Sequence, residues 1–154
     1  MFSAFATAAT INLNPFLAYN YWVEIDGLFL FGFSKVDGLE SSLHVTDQQE
    51  GGVNHFVHKL PGHVTQSNLT FTKGLTIFDM MWDWYDKTTQ GIIERKNGTI
   101  ILLNEVHFPI MGWNFHNAFP VKWTGPSFDA SSNAIAFESL ELVHEGISKA
   151  NLLF

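Results

Sequence analysis

The chain has 154 residues, enough for one domain with a hydrophobic core. Charged residues make up only 15%, below the usual share of about 25%, which indicates that partners cover part of the surface. The net charge of −7 argues against nucleic-acid binding, which needs clustered Lys and Arg, and the lack of cysteine excludes disulfides, thiolate nucleophiles and cysteine-based zinc sites.

The N-terminal segment, residues 1–18, carries no charged side chain and is predicted to form a flexible arm. It has no basic start and polar residues interrupt it, so it is not expected to be a cleaved secretory signal. No apolar run in the chain approaches the roughly 20 residues of a transmembrane helix. We therefore expect a single domain over 1–154 that has no membrane-spanning helix.

The first strand is predicted from the alternation in "YNYWVEID". Tyr21, Val23 and Ile25 fall on one face and are expected to point inward. Asp26-Gly27 is a strong hairpin signal, which predicts a direct turn into a second strand over residues 28–36.

The middle of the chain contains a polar stretch, residues 44–54, with two adjacent glycines. This stretch predicts a loop that is long for a compact domain, and such loops are usually functional or mobile. The next strand, "FVHKL", is expected to stop at Pro61-Gly62. Residues 67–73 alternate again, with Leu69 and Phe71 inward.

One helix is predicted over about 76–89, where apolar residues follow helical spacing. Thr76 is the predicted N-cap, and Gly91 is the predicted end of the helix. Trp82 is expected to be the core anchor, whereas Trp84 lies off the central line of the apolar stripe and could meet a neighbouring subunit.

The C-terminal half is again strand-rich. Asn97-Gly98 is predicted as a solvated turn, followed by a strand that Pro109 breaks. The phase of Phe119, Val121 and Trp123 places them on one face. In the last strand, the apolar pattern slips by one residue, which predicts a bulge near Glu138-Ser139. The fold class is α+β, mainly β, as a small barrel or two-sheet domain with one helix.

The sequence signals for catalytic or metal-binding residues are weak. His55 and His58 lie three apart, which in a strand puts them on opposite faces, and no second histidine follows His144 at the spacing of a zinc-protease motif. The candidate acid pairs are Glu138 with Glu141 and Glu24 with Asp26, and such pairs more often belong to a solvated strand face than to an active site. No serine elbow or phosphate loop is present. No catalytic residue, metal or cofactor is predicted.

Several segments, in this order and spacing over about residues 14–146, resemble the inner tube proteins of contractile injection systems, most closely those of bacterial extracellular particles. They are "NPFLAYNYWVEIDG", "FSKVDGLE", "HKLPG", "LTFTKGLT", "IIERKNGTI" and "FPVKWTGPSFDASSNAIAFESLELVHEG". The resemblance implies a tail-tube fold whose copies form six-membered rings. These rings stack into a hollow tube that sheath contraction drives through a target envelope.

The same resemblance implies which partners the chain binds, where it assembles and which residues form its contacts. The partners would be other copies, the sheath, baseplate and tube-terminating proteins, and cargo in the lumen. Assembly would occur in the bacterial cytoplasm, for a particle that is extracellular or membrane-anchored. A loop reaching the adjacent ring would comprise Val45, Thr46, Asp47, Gln48, Gln49, Glu50, Gly51, Gly52, Val53 and Asn54. Because a lumen that passes cargo should be polar, the lumen-facing candidates are Glu24, Asp26, Asn68, Thr70, Thr72 and Lys122.

Two other classes stay open from the residues alone. Fifteen phenylalanines would suit a monomeric β-barrel that binds a small apolar ligand. A secreted hydrolase with an unrecognised site is the third.

Overall fold

A computed structural model describes residues 20–26, 33–52, 55–77 and 79–151. The predicted N-terminal arm and the turn after Asp26 lie outside these ranges. The elements are β1 (Tyr21–Ile25), β2 (Phe33–Asp37), β3 (Ser41–Gln48), β4 (His58–Gln66), β5 (Leu69–Gly74), α1 (Met80–Thr89), β6 (Lys96–Leu103), β7 (Pro109–Thr124), β8 (Phe137–Val143) and β9 (Gly146–Lys149). The predicted class, mainly β with one helix, is confirmed.

A long strand, β7, connects two sheets. Its first half pairs with β6 and β9, and its second half pairs with β8, giving the strand order β1-β6-β7-β8-β5-β2. The strand bends near Asn117, whose φ of 51° is one that asparagine tolerates. The Asn117 backbone N–H donates to Asn97 Oδ1 at 2.9 Å, and its side chain donates to Glu145 Oε2 at 2.8 Å. We call β1, β6, β9 and the first half of β7 the first sheet, and the remainder of this path the second sheet.

The core lies between the two sheets, with the helix packed at its side. Phe71 of the second sheet meets Phe115 of the first, with ring centroids 5.8 Å apart. The buried apolar residues are Val23, Ile25, Ile100, Phe115 and Ala118 from the first sheet, Leu69, Phe71, Leu140 and Leu142 from the second, and Met81 and Trp84 from the helix. The inward phases predicted for β1 and β5 are therefore confirmed.

The two sheets do not close into a barrel among the described residues. β1 and β2 stand at opposite ends of the strand order, and they are bridged by a hydrogen bond from Tyr21 Oη to the Phe33 carbonyl at 2.6 Å. Among the described residues, β1 pairs with β6 and β2 pairs with β5. The hairpin predicted at Asp26-Gly27 runs through residues 27–32, which lie outside the described ranges, so it stays a prediction.

The helix is shorter than predicted. It starts at Met80, after Asp79, which makes no side-chain capping bond, so the predicted cap at Thr76 is wrong. The predicted end is confirmed: Gly91 has a φ of +87°, its N–H bonds to the Thr88 carbonyl, and the next N–H bonds to the Lys87 carbonyl. This is the Schellman arrangement, which needs a left-handed residue at that position.

The roles predicted for the two tryptophans are reversed. Trp84 is 2% exposed, and its Nε1 donates to the Glu94 carbonyl at 2.9 Å, whereas Trp82 remains 38% exposed. The chain that leaves the helix after Gly91 passes over Trp84 and buries it. Trp82 instead packs edge-on against Trp123, with centroids 4.8 Å apart.

Asn97-Gly98 is part of strand β6 and not a turn, so that prediction is wrong. Gly98 is buried where a Cβ atom would lie 2.2 Å from the Phe115 ring, which explains why a glycine stands in the strand. The strand ends at Leu103, before a turn around Asn104. The Asn104 backbone N–H donates to the Phe108 carbonyl, and the Asn104 carbonyl accepts from the His107 N–H.

The bulge predicted near Glu138-Ser139 is also wrong. Strand β8 pairs with β5 in unbroken register, and Glu138 takes the inward position that the apolar pattern seemed to skip. The register shift lies in the neighbouring strand, between Pro120 and Lys122. As a result Pro120 is buried and Val121 is exposed, contrary to the predicted shared face of Phe119, Val121 and Trp123.

Candidate assembly surfaces

Strands β3 and β4 form a separate antiparallel hairpin. Residues 44–48, predicted as loop, belong to β3, and β4 runs through Pro61-Gly62, where a stop was predicted. Both errors arise because a polar sequence with Pro and Gly can still form an exposed strand pair when a register shift absorbs them, here between Leu43 and Val45. Of the predicted inter-ring loop, Val53 and Asn54 lie outside the described residues.

The hairpin makes no extensive contact with any other described element. Every residue of β3 is exposed, and in β4 only the two end residues are partly covered. A two-stranded hairpin is at best marginally stable in water without packing on a further layer. This part of the chain therefore has the character of a surface that a partner completes.

The two faces of the hairpin differ. Residues paired across the strands share a face, so Leu43 with Val64 and Val45 with Pro61 define an apolar face. Leu43, Val45 and Val64 are each about half exposed. This face continues to the ion pair between Asp47 and Lys59, at 2.5 Å.

The opposite face carries His44, Thr46 and His63, together with Leu60, which pairs with Thr46, and we call it the imidazole face. The rings of His44 and His63 stack with centroids 5.0 Å apart and planes 21° apart. Nitrogen lone pairs lie in the ring planes, so nearly parallel rings do not converge on one ion. No group of three or more His, Asp or Glu among the described residues is arranged to hold a metal.

The residues predicted to face a lumen separate into two groups. On the second sheet, Thr70 pairs with Glu141, which pairs with Lys122, and Asn68 Nδ2 donates to Glu141 Oε1 at 2.9 Å. Thr72 follows on the same face. Glu141 is at the centre of this polar group, and the sequence reasoning missed it, although its phase opposite Leu140 and Leu142 was a usable signal.

The other group, Glu24 and Asp26, lies on the outer face of β1 in the first sheet. Together with Thr99 and Asn114 they line a polar cleft of about 330 Å³. Thr99 Oγ1 donates to Asn114 Oδ1 at 2.6 Å. The structure thus keeps these two carboxylates together but separates them from the second-sheet group.

Glu138 and Glu141 do not form an acid pair. They point to opposite faces of β8, since Glu141 is on the outer face and Glu138 is 1% exposed in the core. Glu138 Oε1 lies 3.4 Å from Lys73 Nζ, and its Oε2 accepts a hydrogen bond from Trp123 Nε1 at 3.2 Å. The sequence analysis missed this buried ion pair, although Lys73 is in phase with Leu69 and Phe71.

An apolar groove of about 350 Å³ lies between the outer edges of β1 and β2, and we call it the edge groove. Burial raises the pKa of the Tyr21 phenol, which lies in its wall. Its lining residues are Tyr21, Ser34, Lys35, Val36, Leu39, Ile100, Leu102 and Trp113. None of the described helices is long and apolar enough to cross a membrane.

An uncovered hairpin, sheet edges that pair with no other described strand, and polar outer faces are typical of a β-domain that assembles with other subunits. Residues 17–148 match the model of the T4-like virus tail tube protein gp19 family, and the chain belongs to that family. The predicted resemblance and the predicted function as a tail tube protein are confirmed.

Solved structures agree with this family. A chain of the extended PVC sheath–tube complex, an extracellular contractile injection system, is 31% identical with a TM-score of 0.82 and covers 92% of this chain and 95% of its own length. A chain of the PVC sheath/tube terminator is 31% identical, with a TM-score of 0.81 and coverage of 90% and 98%. One from the anti-feeding prophage tube-terminating cap is 27% identical, with a TM-score of 0.80 and coverage of 97% and 100%.

The comparison with curated proteins gave no match. Neither the family nor these structures supports the alternative of a monomeric barrel that binds an apolar ligand.

Proposed function

We propose that this chain is the repeating subunit of the inner tube of a contractile injection system, and that six copies close into a ring and the rings stack into a hollow tube. The observation that carries this proposal is the family match over residues 17–148, together with the likeness to a chain of a sheath–tube complex over nearly its whole length. Ring closure needs a heterologous contact that returns on itself, and unpaired sheet edges suit such a contact. The subunit's role is structural and includes no catalytic step.

The proposed partners are the sheath around the tube and the baseplate and terminating proteins at its ends. Related chains come from a sheath–tube complex, a sheath/tube terminator and a tube-terminating cap, which supports this set. We also propose that cargo travels in the lumen of the tube. The tube would assemble in the cytoplasm and leave the cell as part of an extracellular particle.

The hairpin tip is the proposed contact between adjacent rings, over residues 45–54. Its support is that the hairpin projects from the two sheets and its described residues are exposed. For the lumen, the second-sheet group around Glu141 and the pair Glu24 and Asp26 remain the two candidate surfaces. Both are polar outer faces, as a channel for cargo requires.

Imaging of the purified chain tests the proposed function. Negative-stain electron microscopy is expected to show rings of uniform diameter or stacked tubes, because the uncovered hairpin and sheet edges need partners. Analytical ultracentrifugation at the same concentrations gives the ring mass. A compact monomer at high concentration, with no rings, would contradict the proposal.

Deleting residues 48–52 is expected to shorten tubes or leave single rings, while the circular dichroism spectrum keeps its native shape. These residues form the described tip of the hairpin and contribute nothing to the core between the sheets. The control deletes residues 130–134, five exposed residues in a turn elsewhere. Tubes of unchanged length and yield after the 48–52 deletion would exclude an inter-ring role for the tip.

A further inference from the structure

The hairpin continues a strand pair of the second sheet. The pairing of β2 with β5 ends at Asp37 with Thr70, and the pairing of β3 with β4 begins at Ser41 with Gln66. Residues 38–40 on one side and 67–68 on the other separate the two pairings, and we call these residues the hinge. Because the hairpin makes no extensive contact with another described element, the hinge sets the direction in which it projects.

The backbone of the hinge is sharply bent. Gly38 has a φ of +97°, and the Glu40 N–H donates to the Gly38 carbonyl at 2.8 Å. A Cβ atom at Gly38 would lie 2.0 Å from the Asn68 carbonyl oxygen, so the two chain segments cross here at a distance that only glycine allows. No strand pairing spans this bend, and residues at such a place absorb changes of backbone angle. Contacts from outside the hairpin are therefore needed to fix its direction.

The turn between β8 and β9 supplies the best-sheltered of these contacts. His144 Nε2 lies 2.9 Å from the Ser67 carbonyl oxygen in a partly buried position. Since a carbonyl only accepts, Nε2 carries the proton and donates. The other ring nitrogen, Nδ1, is buried and has no hydrogen-bond partner among the described residues. The bond to Ser67 is thus the one hydrogen bond of this ring within the described part of the chain.

Two further side-chain bonds at the hinge are open to water. Ser67 Oγ donates to Glu40 Oε2 at 2.7 Å, and Asn68 Nδ2 donates to Glu141 Oε1 at 2.9 Å, both at exposed positions. Water replaces such bonds at little cost when they break, whereas a sheltered carbonyl that loses its donor stays unsatisfied until the chain moves. The hydrogen bond from His144 is therefore expected to hold the hinge more firmly than the other two.

His144 itself stands on a fixed frame. On one side of it, Val143 pairs with Phe119 of β7. On the other side, the Glu145 backbone N–H donates to the His116 carbonyl at 2.8 Å. The imidazole thus belongs to the body of the two sheets, and its hydrogen bond ties the hinge to that body.

We infer that His144 is a positioning residue that fixes the angle of the hinge, and with it the direction of the hairpin relative to the two sheets. Without the imidazole N–H, the Ser67 carbonyl has to turn towards water, and the hairpin then takes several directions. The consequence for assembly rests on the proposed function. A hairpin held in one direction loses less conformational entropy when its tip meets the next ring.

A distance between two spin labels tests this inference, because the chain contains no cysteine that would compete for the labels. The variant Thr46→Cys/Asp83→Cys places one label on β3 and one on α1, both at exposed positions. Thr46 lies about 17 Å along the strand from Ser41, so a small rotation at the hinge moves its label far. The measurement is double electron–electron resonance on monomer isolated by size exclusion, where no neighbouring copy holds the hairpin.

With His144 in place, we expect a single narrow distribution of distances. In His144→Phe, which keeps a ring but has no N–H, we expect a broader distribution that is shifted from the first. His144→Gln, whose side-chain amide again carries an N–H, is expected to restore the narrow distribution. This rescue separates the loss of the hydrogen bond from a change in packing, and circular dichroism shows that each variant is folded.

The matched control is His116→Phe, which removes a histidine bonded to Ser148 Oγ at 3.0 Å, away from the hinge, and should leave the distribution narrow. If His144→Phe does not fold, His144→Ala repeats the test. An unchanged distribution without the His144 N–H, no rescue by His144→Gln, or equal broadening in His116→Phe would each overturn the inference. A wild-type chain that forms no rings would contradict only the proposed function, because these distances lie within one chain.

Discussion

Replacing Phe71 by alanine is expected to lower the free energy of unfolding by about 3–5 kcal/mol, because a large side chain is removed from the core between the sheets. Phe71 is 1% exposed and contacts Phe115 of the opposite sheet and Phe33 of the terminal strand β2, with ring centroids 5.8 Å and 5.3 Å away. Its loss would leave a cavity at the junction of both sheets and an edge strand. Urea unfolding followed by tryptophan fluorescence measures the change.

Phe108→Ala is the control for this prediction. Phe108 is 63% exposed in the turn between β6 and β7, and its backbone N–H and carbonyl, which bond to Asn104, are kept in the variant. The change is expected to stay within about 0.5 kcal/mol. A loss at Phe71 as small as that at Phe108 would mean that the two sheets do not share one core.

Local pattern predicted much of the fold. The alternation of Tyr21, Val23 and Ile25, and of Leu69 and Phe71, gave the correct inward faces, because a half-buried strand has period two whatever it pairs with. Gly91 correctly predicted the end of the helix, because the hydrogen bonds of the helix terminus themselves require a left-handed residue there. The rest of the architecture was predicted from the family resemblance.

The errors arise where tertiary context, such as pairing between distant strands, overrides local signals. Asn97-Gly98 is a turn sequence, but it lies in strand β6, which pairs with β7, and Phe115 takes the space beside Gly98. At Trp84, burial depends on where the chain goes after the helix, which helical spacing does not report.

The assembly surfaces were predicted in part. The polar composition of residues 44–54 correctly drew attention to this segment but not to the hairpin in it. The alternation that defines its apolar face, at Leu43 and Val45, is short and is interrupted in the partner strand by Pro61-Gly62. For the lumen candidates, the structure shows which residues share a face. Which face meets the lumen depends on the ring and not on the single chain.

The buried ion pair between Lys73 and Glu138 explains why the inward face of β8 was predicted wrongly. It also gives the second prediction with a large expected effect. Lys73 and Glu138 are 6% and 1% exposed, in a layer otherwise made of apolar side chains. Desolvating two charges is costly, and only their mutual attraction offsets that cost. Glu138→Leu removes the carboxylate 3.4 Å from the Lys73 ammonium and also the acceptor for Trp123. We expect it to lose about 3–5 kcal/mol in urea unfolding.

The double variant Lys73→Met/Glu138→Leu decides whether the pair acts as a unit. Because it removes both charges and fills their space with apolar atoms, it is expected to recover most of the stability lost by Glu138→Leu. The exposed pair Lys35 and Asp37 is the matched control, and Asp37→Ala should cost no more than about 1 kcal/mol. A double variant as unstable as the sum of its single changes would show that the two charges are not coupled. Recovery would instead show that the pair adds little net stability. Its remaining role would then be to fix which residues of β8 face inward, a selection that the apolar pattern of β8 leaves ambiguous.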